Sequence, residues 1–190
     1  VGPDRRPIPG TEIHYDCDTL LLSCGLIPEN EISRGMGVEM SPVTSGPLVN
    51  ESLETNIDGV FACGNVLHVH DLVDFVSQEA AAAGKNAAEY VLNGKTKEGK
   101  DIPIVATQGA RYTVPKTVNV NRMDDKHTVR FRVGDVYKNC YVSVYFDDEL
   151  VIHRKRPVVA PGEMEQIVLE KEQLKQYPDI KEITVKIEEA

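Results

Sequence analysis

The stretch Thr55-Asn56-Ile57-Asp58-Gly59-Val60-Phe61-Ala62-Cys63-Gly64-Asn65-Val66 is where this sequence places its chemistry. An Asp58-Gly59 turn feeds a short apolar run, Gly59–Cys63, that ends at Gly64. A glycine at that point lets the backbone come close to a ligand, because no Cβ stands in the way. Asn65 follows with a side chain that both donates and accepts hydrogen bonds. A few residues later a helical pattern starts, and the free N–H groups of a helix start favour negative charge. Ligands of open α/β sheets sit at the carboxyl ends of strands, so glycine, amide and helix start are suited to a polar, partly anionic cofactor. His68 and His70 lie between them. Imidazole titrates near neutral pH and can serve as a general acid or base. The plainer reading is a pair of loop histidines bonded locally.

These residues need a strand, a turn and a helix to position them. Asp71 suits an N-cap, and Asp74 falls in the first turn. Val73, Val76, Ala80, Ala83, Ala87 and Tyr90 recur at helical spacing, and Asn93-Gly94 supplies a left-handed stop. Upstream, Thr11–Tyr15 reads as a short strand. Thr19–Ser23 is a nearly all-apolar run suited to a strand covered on both faces, and Gly46–Asn50 is a further extended piece. After a polar stretch at 95–100 the period changes to two. Val129, Phe131 and Val133 alternate with Arg130 and Arg132, and Val142, Val144 and Phe146 alternate with Tyr141, Ser143 and Tyr145. Asp147-Asp148-Glu149 reads as a hairpin turn, and Glu170–Tyr177 as a helical turn.

Composition narrows the classes. The 21 Lys and Arg against 30 Asp and Glu leave a net charge of −9, which argues against nonspecific nucleic-acid binding. No apolar run approaches the ~20 residues of a membrane helix. Cys17, Cys24, Cys63 and Cys140 include no C-x-x-C pair, so reduced thiols in a cytoplasmic setting are expected. His153-Arg154-Lys155-Arg156 is the one basic cluster, read as a solvated strand end, a docking point for an acidic partner or a clamp between the two halves.

The pattern at 55–65 resembles the second FAD-binding motif of the pyridine nucleotide–disulfide oxidoreductase superfamily, roughly Thr-x-x-x-Gly-(Val/Ile)-(Phe/Tyr)-Ala-x-Gly-Asp. Thr55, Gly59, Val60, Phe61, Ala62 and Gly64 match, and Asn65 stands where the family has Asp. Asp18–Pro28 resembles the family's strand and Gly-x-x-Pro loop. The resemblance covers about residues 11–94. It implies an α/β fold (part of a two-dinucleotide-binding-domain flavoprotein) there, and the two-residue period beyond residue 100 reads as a small all-β sandwich-like domain. The implied divisions are a tail of the NAD(P)-binding domain at 1–16, the C-terminal part of the FAD-binding domain at 17–94, a linker at 95–100 and the all-β domain at 101–190.

The resemblance also implies roles. FAD would be held by Gly64, Asn65 and Val66 and by the helix start at Leu72 and Val73, with His70 as the candidate proton carrier. The chain carries no Gly-x-Gly-x-x-Gly and starts at Val1. It is therefore expected to be the C-terminal portion of a longer FAD-dependent oxidoreductase that uses NAD(P)H. Its substrate would be a small molecule such as a glycerol 3-phosphate-like polyol phosphate, or else a partner protein. The competing expectation is a non-catalytic interaction or dimerisation module on a degenerate flavoprotein. In either case the all-β domain would mediate a homo-oligomer or hetero-complex.

Overall fold

The two-residue period beyond residue 100 folds as two sheets facing a common core. In the computed structural model the described residues are 1–4, 6–94 and 98–189, so positions 95–97 of the expected linker lie outside them. The strands are β1 (Ile102–Ala106), β2 (Ala110–Val114), β3 (Thr117–Val118), β4 (Lys126–Val133), β5 (Tyr137–Phe146), β6 (Glu149–Val159), β7 (Glu165–Glu170) and β8 (Ile183–Glu189). One sheet has the order β3-β1-β8-β5-β6 and the other β2-β4-β7. All pairings are antiparallel except β1 with β8. Val129, Phe131 and Val133 of β4 meet Val142, Val144, Ile183 and Val185 of the opposite sheet in one buried cluster. Alternation is the cause: one face of each strand enters the core and the other leaves it.

The hairpin forms as the sequence indicates. Phe146 lies opposite Glu149 across a turn at Asp147, whose φ is 51°. The Asp147 carboxylate accepts the N–H groups of Lys181 (2.9 Å) and Glu182 (3.0 Å), which fixes the turn against the approach to β8. The basic cluster on β6 does not clamp the two halves together. Arg154 donates to the Gln166 carbonyl (2.7 Å) and Arg156 to Glu165 (2.7 Å), so it joins β6 to β7 across the two sheets.

Residues before 94 form α1 (Glu31–Gly35), a 3-10 turn (Gly64–Val66) and α2 (Val73–Asn93). The strands expected at 11–15 and 19–23 are not formed. A strand needs a neighbour to take its backbone N–H and C=O groups, and among the described residues none lies beside these. Leu20, Leu21 and Leu22 stand 74%, 89% and 77% exposed. The extended pieces at 46–50 and 59–63 reduce to single bridges, Met40 with Pro47 and Glu54 with Phe61.

The first half docks on the outer face of the three-stranded sheet. Val114 and Tyr112 of β2 pack with Val49, Leu53, Ala62, Leu67 and Ala83 in a second apolar cluster. The Lys116 N–H donates to the Val49 carbonyl at 2.8 Å. Arg122 grips the Glu51 carboxylate with Nε (2.6 Å) and Nη2 (3.3 Å), and the Asn119 N–H adds a third bond (2.9 Å). The arginines that alternate with the β4 core residues complete the contact. Arg132 donates to the Val69 carbonyl (3.0 Å), and Arg130 lies 4.0 Å from Glu79.

Candidate functional site

Gly64 turns the chain with φ 68°, a conformation that favours glycine. A Cβ added there would stand 3.4 Å from Val76 Cγ1. The loop that follows is braced from behind. A Cβ on Gly46 would fall 1.7 Å from the Leu67 carbonyl oxygen, so the 41–47 turn presses on this loop at a point where only hydrogen fits. Asn30 donates to the Val66 carbonyl (2.6 Å), and Asn65 Oδ1 accepts the His70 N–H (3.1 Å), folding residues 65–70 back on themselves.

Helix α2 begins one residue later than its sequence pattern indicates. Leu72 occupies the cap position and no side chain caps the first turn. Asp71, expected as the cap, is drawn elsewhere. Its carboxylate accepts the Met164 N–H (3.1 Å) and lies 3.5 Å from Arg132. The helix start is therefore open, with Leu72 and Val73 exposed, and Asn65 and Val66 are exposed as well. An exposed amide side chain and uncapped first-turn N–H groups match the hydrogen-bonding needs of a sugar-alcohol chain and an anionic ring edge. The residues present thus fit one side of a flavin. The stripe expected to pack α2 is narrower than its sequence pattern: Ala83 is buried on it, whereas Val73 and Ala80 are exposed.

The most enclosed polar group of the helix is Glu79. It is 2% exposed and its carboxylate gathers three donors. Oε1 accepts the Gly64 N–H (2.7 Å) and meets His70 Nε2 (3.1 Å), and Oε2 meets His68 Nε2 (2.9 Å). Burial pushes this carboxyl up, but the bonds from the two imidazoles outweigh it and hold it at about 2. His68 is driven the other way: burial lowers it, against the pull of Glu79, so it is kept neutral. The two rings meet edge to face with centroids 4.3 Å apart, and Tyr112 closes the far side of His68. Both Nδ1 atoms are buried without a hydrogen-bond partner, as is Arg130 Nε. Cys63 lies beside this group. Burial and then the Glu79 charge push its thiol up, which keeps it protonated and a poor nucleophile.

The candidates named from sequence therefore divide in two. Gly64 and His70 meet on Glu79 in the interior, while Asn65, Val66, Leu72 and Val73 lie at the surface. The structure adds Glu79 and Arg130. The sequence held a sign of the first: Glu79 falls on the inward stripe between Val76 and Ala83, a charge where an apolar residue belongs.

Residues 5–90 match the model of a family described as pyridine nucleotide-disulphide oxidoreductase. A stretch of 52 residues is 38% identical to the ferredoxin--NADP reductase of Picrophilus torridus. That stretch covers 27% of this chain and 16% of the relative. No solved structure matches.

Proposed function

We infer a flavin-dependent redox role from the match of residues 5–90 to the model of the pyridine nucleotide-disulphide oxidoreductase family. The observation that carries the reading is local. A left-handed Gly64 is followed by an exposed Asn65, and that loop leads into a helix whose first turn is uncapped. In this reading Asn65 and Val66 hold the ribityl chain of FAD, and the buried Gly64, its N–H taken by Glu79, sets the turn that presents them. The N–H groups at Leu72 and Val73 offset charge on the flavin's pyrimidine edge. Bound FAD would supply the hydride chemistry, with NAD(P)H as the second nucleotide. His70 would carry a proton, its ring steadied by Glu79 through Nε2 and its Nδ1 unengaged.

The divisions at 1–16, 17–94, 95–100 and 101–190 belong to this proposal, as does a cytoplasmic location. The likeness to a ferredoxin--NADP reductase favours an electron-carrier protein over a small polyol phosphate as the other reactant. Among the described residues no helix is long and apolar enough to cross a membrane. The alternative, a non-catalytic interaction module, draws support from Asn65 in place of the family's Asp.

The test is the visible absorption spectrum of the full-length protein. A flavin spectrum at one equivalent per chain is expected, and Asn65→Leu should weaken FAD retention by about 1–3 kcal/mol, the cost of one unmade bond. A full-length protein that takes up no flavin refutes the redox reading and leaves the interaction module.

A further inference from the structure

We propose that His68, His70 and Glu79 form a binding site for one divalent cation of the zinc class. The ligand types are the first reason. Two imidazoles from one loop and a carboxylate from the facing turn of α2 converge, and their candidate ligand atoms all lie within 4.8 Å of one another. Two imidazoles and one carboxylate are a common donor set for zinc and its first-row neighbours.

The separations agree. The two imidazole Nε2 atoms lie 2.9 and 3.1 Å from carboxylate oxygens of Glu79. Two ligands each about 2.0–2.1 Å from a shared cation, at angles of roughly 90–110°, stand about 2.9–3.4 Å apart.

The hydrogen bonding within the group is incomplete. It uses one nitrogen of each ring and leaves the other, Nδ1, buried and unpartnered on both. Either nitrogen of a neutral ring can face a cation while the other carries the proton. The carboxylate also borders open space. Glu79 and Arg130 line a cavity of about 980 Å³ between α2 and β4. Arg130 is the opposing charge. Its guanidinium, 4.0 Å from Glu79, weakens a cation there and favours an anionic fourth ligand on the metal.

The site shares His70 and Glu79 with the flavin reading, but its readout is bound metal and not bound flavin, so the two can fail separately. The experiment is equilibrium dialysis of the tag-free, chelator-stripped full-length protein against Zn2+, with elemental analysis. One equivalent per chain is expected with Kd below about 10 μM. His70→Asn and Glu79→Gln should each weaken binding about tenfold or more. Arg130→Gln should tighten it about threefold or more, because a neighbouring positive charge is removed. A hydrogen-bonding node would give no such gain. His153→Asn, at the exposed histidine on β6, should change nothing.

Occupancy below about 0.5 equivalents at ~10 μM free Zn2+ overturns the proposal. So does binding that survives both ligand substitutions or is lost with His153. If the ligand variants do not fold, zinc K-edge absorption on the wild-type protein decides. A shell of two imidazole nitrogens plus oxygen supports the site, and a sulfur-rich shell from the cysteines overturns it.

Discussion

Glu51 and Arg122 provide the sharpest test of how the two halves are joined. The Glu51 side chain is 1% exposed and that of Arg122 11%. Removing one partner of a buried ion pair costs about 3–5 kcal/mol, because the other charge is left stranded. Arg122 keeps a second partner in the half-exposed Asp101, which brings its share to the lower end. The Asn119 N–H also loses its acceptor in Glu51→Ala, adding about 1 kcal/mol. The sum for Glu51→Ala is about 4 kcal/mol, a large part of the 5–15 kcal/mol that holds most domains folded. Glu51→Leu combined with Arg122→Met removes both charges together. A buried pair exchanged for apolar side chains is often close to neutral, so the double variant should be more stable than Glu51→Ala. Urea unfolding followed by circular dichroism gives each value, and a double-mutant cycle gives the coupling, expected at about 2–3 kcal/mol. Coupling under about 1 kcal/mol would show that this pair does not hold the halves together. Loss of protection at the Lys116 amide, which bonds to Val49 across the same junction, should accompany destabilisation.

Two further outcomes follow from burial. His127 on β4 is lowered to about 4, first by burial and then by Arg130, against a weaker pull from Asp124. Its unfolded form binds a proton near pH 6.5, so stability falls as pH drops from 6.5 to 4 and is flat below. The loss is about 2–3 kcal/mol after allowing for the partial exposure of the residue, and His127→Gln should flatten it in urea titrations across that range. For the thiols, iodoacetamide at pH 7.5 should label the exposed Cys17 and Cys24 first. Peptide mass spectrometry should find Cys63 and Cys140 about tenfold slower or more, since burial pushes both thiols up. Equal rates at Cys63 and Cys17 would contradict the enclosed position of Cys63.

The parts of the fold legible in the sequence are those that a local pattern fixes. Val129-Arg130-Phe131-Arg132-Val133 can satisfy its apolar residues only as a strand with one face in a core, and Asp147-Asp148 can turn back only as a hairpin. The parallel pairing of β1 with β8 joins residues about 80 apart and leaves no local trace. Thr19–Ser23 failed for the converse reason. Its apolar run states a need for cover, and among the described residues no strand provides it. The site divides in the same manner. Gly64 and Asn65 were legible because glycine-then-amide is a backbone statement. The Glu79 node was not, because a carboxylate, two loop histidines and a sheet arginine meet only once the helix is laid on the sheet.

That last meeting bears on how the site is held in place. The outer face of β4 reaches the loop that leads into α2 at the Val69 carbonyl, through Arg132, and α2 itself at Glu79, beside Arg130. The inner face of the same strand carries Phe131 and Val133, fully enclosed in the core of the all-β part. A strand so fixed cannot shift without disturbing close-packed side chains. The loop from Gly64 to Asp71 therefore takes its position from the all-β part as well as from its own helix. Loosening the junction at Glu51 would release the 65–70 loop along with it. Hydrogen exchange at the His70 amide, bonded to Asn65, is the place to see this. Faster exchange in Glu51→Ala than in the double variant would follow from the shared frame. Equal exchange in the two would mean that the loop is held by Glu79 and α2 alone.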